Sequence, residues 1–482
     1  MIQQNPTEFC GHRKKLYINT IGCQMNVYDS EKIVSDLALH GYEKTATIDS
    51  ADLVVLNTCT IREKAEQKAF SFLGRLNKLK QKKSHLIVAV GGCVAQQEGE
   101  NLVKRAPVVD IVFGTHAIDR LPQHIKQIED QRRRIIDIKM SEIINEKDFN
   151  KKSLASEDVT AFVTVMQGCE NYCTYCVVPY VRGKEMSRQP ERIIEEIKYL
   201  VKEGVREVTL LGQNVNSYGI KQGFCSFAQL LERINIIDGL SRIRFTTSHP
   251  KDLSIELMNA FTSCEKLCNH IHLPVQSGSD HILNLMNRRY NRDDYLEKVD
   301  QLRKIQPDIS ISTDIIVGFP GETGEEFRQT LDLVRKVEYD SLFAFKYSDR
   351  PEVPAKHFSG KVSEHEKMVR LQKVLALQEE ITLKKNRALT GSIQQVLVEG
   401  LSKKQKGKEN QNPHIQWTGR TQGNIVVNFS LNSNRDDTFD QILTGRIVDV
   451  RIEEAYPHSL WGKPVYIEPE KQGLKGDECY AA

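Results

Sequence analysis

The chain has 482 residues and a formal net charge of +3, with 39% hydrophobic and 27% charged residues. These values are ordinary for a globular protein of about three domains, and the nearly neutral charge leaves nucleic-acid binding to local basic clusters. No apolar run approaches the roughly 18 residues of a membrane span, and residues 1–15 lack the apolar segment of a signal peptide. We therefore expect a cytoplasmic protein without a membrane partner, whose cysteines serve metal binding or catalysis rather than disulfide bonds.

Three strand-like segments near the N-terminus each end in a cysteine, and these residues are Cys23, Cys59 and Cys93. Their spacing of 36 and 34 residues matches one strand plus one crossover helix, the repeat of a parallel sheet. The C-terminal ends of parallel strands share one edge of the sheet, where ligands bind. The pattern predicts a parallel α/β sheet domain over residues 14–129 in which three thiols converge on one metal site.

Residues 130–157 differ in composition from the segments on either side. An arginine run at 132–134 is followed by Glu- and Lys-rich sequence with little hydrophobic periodicity. We interpret this segment as a linker and its arginine run as a solvated face.

A second group of three cysteines lies in one short loop, where Cys169, Cys173 and Cys176 follow a strand-like run. A structural zinc ion needs four closed ligands, and no fourth Cys or His stands nearby. Three thiolates suit a [4Fe-4S] cluster that keeps one iron open to bind a cofactor or substrate. Cys264 and Cys268 have no third cysteine near them and are expected to be structural.

Strands and helices alternate again through the middle of the chain. The predicted strands are 162–168, 207–212, 242–248, 270–276, 310–317 and 341–347. Six such units predict a partial TIM-like (β/α)6 barrel over residues 158–362, with its chemistry at the C-terminal mouth. The cysteine loop follows the first of these strands.

The cysteine loop, with Tyr175 before its last cysteine, resembles that of the radical S-adenosylmethionine (SAM) enzymes. The resemblance implies that SAM binds the open iron of the cluster and yields a 5′-deoxyadenosyl radical. It places SAM contacts at the barrel mouth, although the usual Gly-Gly-Glu motif is replaced by Gly-Gln-Asn. The expected cofactor-binding residues are Tyr175, Gln213, Asn214, Ser248, Gln276, Asp314 and Arg288.

The N-terminal motifs Gly-Cys-Gln-Met-Asn at 22–26, Asn-Thr-Cys-Thr-Ile-Arg-Glu-Lys at 57–64 and Gly-Gly-Cys at 91–93 resemble those of radical-SAM methylthiotransferases. The resemblance implies a second, auxiliary [4Fe-4S] cluster on Cys23, Cys59 and Cys93. No catalytic residue is assigned beyond the six cluster cysteines.

The C-terminal part begins with a long amphipathic linker helix over 363–390 and continues as short β-like runs, which predict a small β-barrel over 391–467 and a tail over 468–482. This region resembles the TRAM domain, which implies RNA binding. A basic loop and two flanking residues are the expected contacts with RNA, with Trp417 as a stacking surface. They are Lys403, Lys404, Lys406, Lys408, Trp417 and Arg420.

The motifs are most similar to the MiaB-type branch of the family. That branch adds a methylthio group at C2 of N6-isopentenyladenosine at tRNA position 37, beside the anticodon. It uses one SAM as methyl donor and another as radical source, together with an electron donor and a sulfur or cluster donor. Three alternatives remain: a paralogue acting on N6-threonylcarbamoyladenosine, an enzyme modifying a ribosomal-protein aspartate, and a non-catalytic iron–sulfur RNA-binding sensor.

Overall fold

The computed structural model describes residues 13–60, 63–131, 133–141, 158–402, 415–430 and 443–465, and side chains 63–66 are not described. These residues belong to two units that divide between residues 381 and 382. Among the described residues, no helix is both long enough and apolar enough to cross a membrane.

The N-terminal part of the first unit is a parallel sheet of six strands in the order β2-β1-β3-β4-β5-β6. The strands are β1 Lys14–Ile21, β2 Tyr42–Lys44, β3 Leu53–Thr58, β4 Ile87–Gly92, β5 Ile111–Phe113 and β6 Ile135–Asp137. The helices are α1 Gln24–Ala38, α2 Glu63–Lys82, α3 Cys93–Glu98, α4 Glu100–Arg105 and α5 Leu121–Gln131. The predicted parallel α/β fold of this region is confirmed.

Alternation along the central strands explains why the sheet carries a core on each face. Val54 and Leu56 join one hydrophobic cluster, whereas Leu53 and Val55 join the other, and all four are fully buried. Successive side chains of a strand point to opposite faces, so a strand covered on both sides reads as a continuous apolar run.

Strand β6 corrects the predicted linker. Residues 135–137 lie inside the segment 130–157, yet they pair with β5 at the edge of the sheet. Asp137 accepts hydrogen bonds from Arg120 at 2.5 and 2.8 Å. A three-residue edge strand leaves almost no periodic signal in sequence, which is why composition suggested a linker.

The second part of the first unit is the partial barrel. Its strands are β7 Thr160–Thr164, β8 Met166–Gln167, β9 Met186–Ser187, β10 Glu207–Leu211, β11 Arg242–Phe245, β12 His270–His272, β13 Ser310–Val317 and β14 Ser341–Lys346. Its helices are α6 Val178–Val181, α7 Pro190–Lys202, α8 Phe227–Asn235, α9 Ile255–Ser263, α10 Asp280–Leu285, α11 Arg292–Ile305 and α12 Gly324–Val337.

Two three-stranded parallel sheets, β7-β10-β11 and β12-β13-β14, form the barrel wall. A parallel bridge between Ile243 and Leu267 joins them, so the six predicted strands follow one another around the wall. The short pair β8–β9 is antiparallel and directs the chain after β7 into the cysteine loop. The helix α13 Glu364–Ala388 follows, and Val374 and Ile381 join the barrel core, as an amphipathic helix packed on the barrel requires.

The second unit contains a closed barrel of five strands in the order β15-β16-β17-β19-β18. The strands are β15 Ile393–Leu401, β16 Gln416–Arg420, β17 Val426–Ser430, β18 Ile447–Ala455 and β19 Leu460–Pro464. At Gly419 a Cβ atom would lie 2.2 Å from the Leu397 carbonyl oxygen, because the paired strands approach closely there. This closed barrel confirms the predicted small β-barrel.

The second unit also corrects one predicted RNA contact. Trp417 is 1% exposed and belongs to the barrel core with Val396 and Phe429. A base cannot stack on a ring inside a packed barrel, so the predicted stacking role is wrong. Arg420 forms an ion pair with Glu399 at 3.0 Å. The four lysines between 403 and 408 lie outside the described residues.

Candidate metal centres and cofactor site

The first candidate centre lies at the C-terminal edge of the N-terminal sheet. Cys59 directly follows β3, Cys93 directly follows β4, and Cys23 stands two residues after β1. Strands β1, β3 and β4 are neighbours, and their last residues pair in register. The predicted convergence of the three cysteines therefore has its backbone basis in three adjacent strands that end together.

Close backbone packing holds the three loops at this edge. Gly92 has a φ of +89°, and a Cβ there would lie 2.3 Å from the Thr58 carbonyl oxygen. Asn26 accepts a hydrogen bond from the Cys23 amide at 3.2 Å and donates one to Asn57 Oδ1 at 3.0 Å. Only glycine tolerates both the left-handed φ and the close approach at residue 92, so the turn into Cys93 depends on it.

The thiols of this centre differ in exposure and acidity. Cys59 and Cys93 are 4% and 3% exposed, whereas Cys23 is open to solvent. A hydrogen bond with Cys59, aided by the charge of Arg182, lowers the pKa of Cys23 to about 6. Burial raises the pKa of the Cys93 thiol, against the opposing charge of Arg182. Thiolates are the form that binds metal, and Arg182 favours that form at two of the three positions.

The second candidate centre is the loop that carries Cys169, Cys173 and Cys176. Burial raises the pKa of Cys176 to about 12, and the neighbouring Cys173 and Cys169 thiols act in the same direction. Three acidic groups that oppose one another's ionisation suit a cationic metal centre, which would relieve the repulsion. The donor set therefore fits an iron–sulfur cluster.

Hydrogen bonds to the segment after α10 fix the shape of this loop. Asn287 Nδ2 donates to the carbonyl of Tyr172, whose φ is +47°. The Thr174 hydroxyl donates to the Leu285 carbonyl at 2.8 Å, and the Thr174 amide donates to the Met286 carbonyl at 3.1 Å. The cysteine loop is thus held from a segment more than a hundred residues further along the chain.

Arg288 lies beside this loop and is 4% exposed. Its guanidinium donates to Cys173 Sγ at 3.5 Å, to Tyr175 Oη at 3.4 Å and to the Pro274 carbonyl at 2.6 Å. The prediction that Arg288 contacts SAM is not supported, because its donors serve the protein and a cluster ligand. Tyr175 packs edge-on against Phe319, beside the cysteines.

The residues predicted to contact SAM separate into two groups. Asn214 is 1% exposed, donates to Asp252 at 2.7 Å and accepts from the His249 amide at 3.1 Å. Gln213 accepts from the Gly168 amide. These two amides fix loops rather than face an open site, which corrects the prediction for Asn214.

The other group has polar atoms without a partner among the described residues. Ser248 Oγ and Gln276 Oε1 are buried and unpaired, although buried polar groups are nearly always hydrogen-bonded. Asp314, on strand β13, differs from these two, because its carboxylate lies 3.5 Å from His272 Nε2. Unpaired polar atoms at the mouth of a barrel fit a polar ligand such as SAM.

Sequence reasoning missed three further residues of this kind. Gln167 Nε2, Asn216 Oδ1 and His249 Nε2 are also buried without a partner within the described part of the chain. Burial and the nearby Arg288 lower the pKa of His249 to about 2, so its ring is neutral. Because Nδ1 accepts a hydrogen bond from the Lys251 amide at 3.2 Å, Nε2 carries the proton and can donate to a ligand. Asn216 and His249 stand in the same post-strand segments as Asn214 and Ser248, and that position was the signal that could have found them, whereas Gln167 lies in β8, two residues before Cys169.

Within the described ranges, no three His, Cys, Asp or Glu side chains converge closely enough to share one metal ion. A cluster sets a different requirement, because each thiolate binds its own iron and the ligands stand further apart.

Helix α6 brings the two centres together. Cys93 packs in one small hydrophobic cluster with Val177, which directly follows Cys176, and with Val181. The hydroxyl of Thr115, after β5, donates to the Val181 carbonyl at 2.7 Å. One thiol of the sheet centre thus touches the segment that leaves the loop centre, a proximity that no sequence spacing predicts.

Comparison with known proteins supports this architecture. Three family models match the chain: Uncharacterized protein family UPF0004 over residues 15–114, Radical SAM superfamily over 163–334 and TRAM domain over 387–465. A solved structure of the radical SAM methyltransferase TsrM from Kitasatospora setae has a TM-score of 0.53 at 14% identity. The match covers 71% of this chain and 75% of the TsrM chain, and it establishes a shared fold.

Fold and site together define a radical-SAM enzyme that carries a TRAM domain. A protein named tRNA-2-methylthio-N(6)-dimethylallyladenosine synthase from Desulfosudis oleivorans is 55% identical over 96% of this chain and 99% of its own length. One of the same name from Syntrophus aciditrophicus is 51% identical over 94% of each chain. The chain belongs to the tRNA-2-methylthio-N(6)-dimethylallyladenosine synthase family.

Proposed function

We propose that this enzyme adds a methylthio group to C2 of N6-isopentenyladenosine at tRNA position 37, using two [4Fe-4S] clusters and SAM. The observation that carries the proposal is the contact between Cys93 and the segment directly after Cys176, in a chain of this family. A reaction that joins sulfur and a methyl group to an unreactive carbon needs two centres close enough to meet one substrate.

Each centre has its own set of residues. Cys169, Cys173 and Cys176 would hold the SAM-binding cluster, and Cys23, Cys59 and Cys93 the auxiliary cluster. When bound, the clusters and SAM supply the radical, the sulfur and the methyl group. The chain itself holds the cysteine loop through Asn287 and Thr174, closes the sheet edge through Gly92, and offers unpaired polar atoms at the barrel mouth.

The tRNA partner is expected to bind both the partial (β/α)6 barrel of the first unit and the small β-barrel of the second unit. The lysines at 403, 404, 406 and 408 remain proposed contacts with RNA, and so does Arg420, the last residue of β16. A base beside the anticodon is unpaired and enters a pocket at modest cost. An electron donor, a sulfur or cluster donor and a cytoplasmic location complete the proposal.

Replacing Ser248 with alanine is expected to weaken SAM binding about tenfold, the effect of one lost hydrogen bond of about 1.4 kcal/mol. The stability of the protein should be unchanged or slightly higher, because the hydroxyl has no partner within the described protein. Calorimetric titration of the anaerobically reconstituted enzyme with SAM measures the effect.

Ser277→Ala is the matched control, because the Ser277 hydroxyl is fully buried and already paired with Thr330 at 3.5 Å. This variant should alter the unfolding temperature more than the affinity for SAM. Equal SAM affinity in Ser248→Ala and the wild type would remove Ser248 from the site.

Nucleoside mass spectrometry tests the function as a whole. The enzyme is reconstituted with iron and sulfide, then incubated with SAM, a reductant and tRNA from cells that lack the modification. We expect 2-methylthio-N6-isopentenyladenosine in the digested tRNA. A methylthiolated threonylcarbamoyl nucleoside, or SAM cleavage with no methylthiolated nucleoside at all, would contradict the proposed substrate.

A further inference from the structure

One arginine lies buried where the two cysteine centres meet. Arg182 follows α6 directly and is 3% exposed. Its Nη2 donates to Asp29 Oδ2, in helix α1 of the N-terminal sheet domain, at 2.9 Å. The segment that leaves the loop centre is therefore tied by a buried ion pair to the domain that carries the sheet centre.

The same guanidinium also faces the sulfur atoms of the sheet centre. Its positive charge acts on both Cys93 and Cys23, and Val181, the residue directly before it, packs in one cluster with Cys93. The carbonyl of Arg182 accepts a hydrogen bond from His116 Nε2 at 2.9 Å. Both the backbone and the side chain of this residue are held against the N-terminal domain.

The charges around Arg182 explain why it is kept inside the protein. An arginine buried with a single carboxylate gives up water on all sides, and such pairs are rarely worth their desolvation as a source of stability alone. Here the charge of the guanidinium acts on two cysteine thiols as well as on Asp29. The local net charge is one of the properties that set the reduction potential of an iron–sulfur cluster.

We propose that Arg182 is a positioning residue that raises the reduction potential of the auxiliary cluster while it holds α6 against Cys93. Asp29 is its counter-charge and limits the effect. This inference rests on the proposed function, since it requires a cluster on Cys23, Cys59 and Cys93. At the loop centre, Arg288 donates to Cys173 Sγ at 3.5 Å, so a buried cation lies beside that centre too.

The test is a redox titration of the full-length reconstituted protein, followed by electron paramagnetic resonance. A full-length variant without Cys169, Cys173 and Cys176 identifies the auxiliary signal. Arg182→Gln should shift the auxiliary potential to more negative values, because a positive charge is lost beside the sulfurs. Asp29→Asn should shift it to more positive values, because the guanidinium stays and its counter-charge is lost.

Arg188→Gln is the matched control. Arg188 is also largely buried, pairs with Glu196 at 2.7 Å and donates to the Thr164 carbonyl at 2.7 Å. Its loss removes a buried cation from the barrel, and the auxiliary potential should stay at the wild-type value. Arg182→Lys keeps the charge with a different shape and should fall between Arg182→Gln and the wild type.

Opposite shifts in Arg182→Gln and Asp29→Asn distinguish an electrostatic role from a structural one, because damage to the fold would move both variants the same way. If Arg182→Gln does not fold, the positive shift of Asp29→Asn carries the test. The inference on Arg182 would be overturned, and the two-cluster proposal kept, if Asp29→Asn contains the iron of two clusters but its auxiliary potential is unchanged or shifts to more negative values. The iron content of one cluster in the wild-type chain would overturn the two-cluster proposal as well.

Discussion

Replacing Cys59 with alanine is expected to abolish methylthiolation of tRNA while reductive cleavage of SAM continues near the wild-type rate. Cys59 is 4% exposed and follows the central strand β3, between the strands that carry the other two cysteines of this centre. Two thiolates do not hold a cluster that needs three, so the sulfur source is lost. The cysteine loop of the barrel keeps its own ligands and its contacts with residues 285–288.

The two activities are measured in the same reaction, as 5′-deoxyadenosine released and as methylthiolated nucleoside formed. Cys264→Ala is the matched control, because Cys264 is 2% exposed within the barrel core and its loss costs only packing. Cys173→Ala should abolish both products. Methylthiolated tRNA from Cys59→Ala would show that the sulfur does not depend on the sheet centre.

Replacing Gly168 with alanine is expected to reduce SAM cleavage by about 100-fold, the loss that a misplacement of about 1 Å produces at a reacting centre. Gly168 precedes Cys169 and has a φ of +79°, and a Cβ there would lie 2.0 Å from the Lys184 carbonyl oxygen. The obstacle is the backbone of residues 183 and 184 rather than a flexible side chain, so the clash is relieved only if that segment or the cysteine loop moves. The rate of 5′-deoxyadenosine release and the iron content measure the effect.

Gly223→Ala separates the clash from the cost of the backbone conformation. Gly223 has a similar φ of +68°, and a Cβ there would meet nothing within 4 Å. This variant should lose only about 1–2 kcal/mol of stability from the left-handed conformation and keep its activity. Equal activity of the two variants would mean that the loop has room to move and that the close approach at Gly168 does not matter.

Most of the fold could be predicted from local patterns in the sequence. An apolar stripe with Pro190 at its start and Gly204 after its end is a local helix signal in the sequence, and α7 spans Pro190–Lys202. The long amphipathic run predicted a helix over 363–390, and α13 spans Glu364–Ala388. Such signals are local because periodicity, caps and breakers act within a few residues of the chain.

The three corrections to predicted site residues share one cause. Asn214, Arg288 and Trp417 have the polar groups or the aromatic ring that a ligand site needs, but each of them contacts other residues of the protein instead. Asn214 is bonded to Asp252, Arg288 to Pro274, and Trp417 packs against the barrel core. A side chain's partner depends on residues far away in sequence, so residue type alone cannot assign it.

The sequence by itself determined the two sets of three cysteines, because one is a single loop and the other repeats with the βα period of a parallel sheet. Only the tertiary structure decided that the two sets adjoin, through Val177 against Cys93 and Arg182 against Asp29. The physical reason is that the spacing of the cysteines reflects only the length of one strand and its crossover helix, whereas contact between domains depends on how their surfaces fit. The buried polar atoms at the barrel mouth and the arginine between the centres are products of that fit.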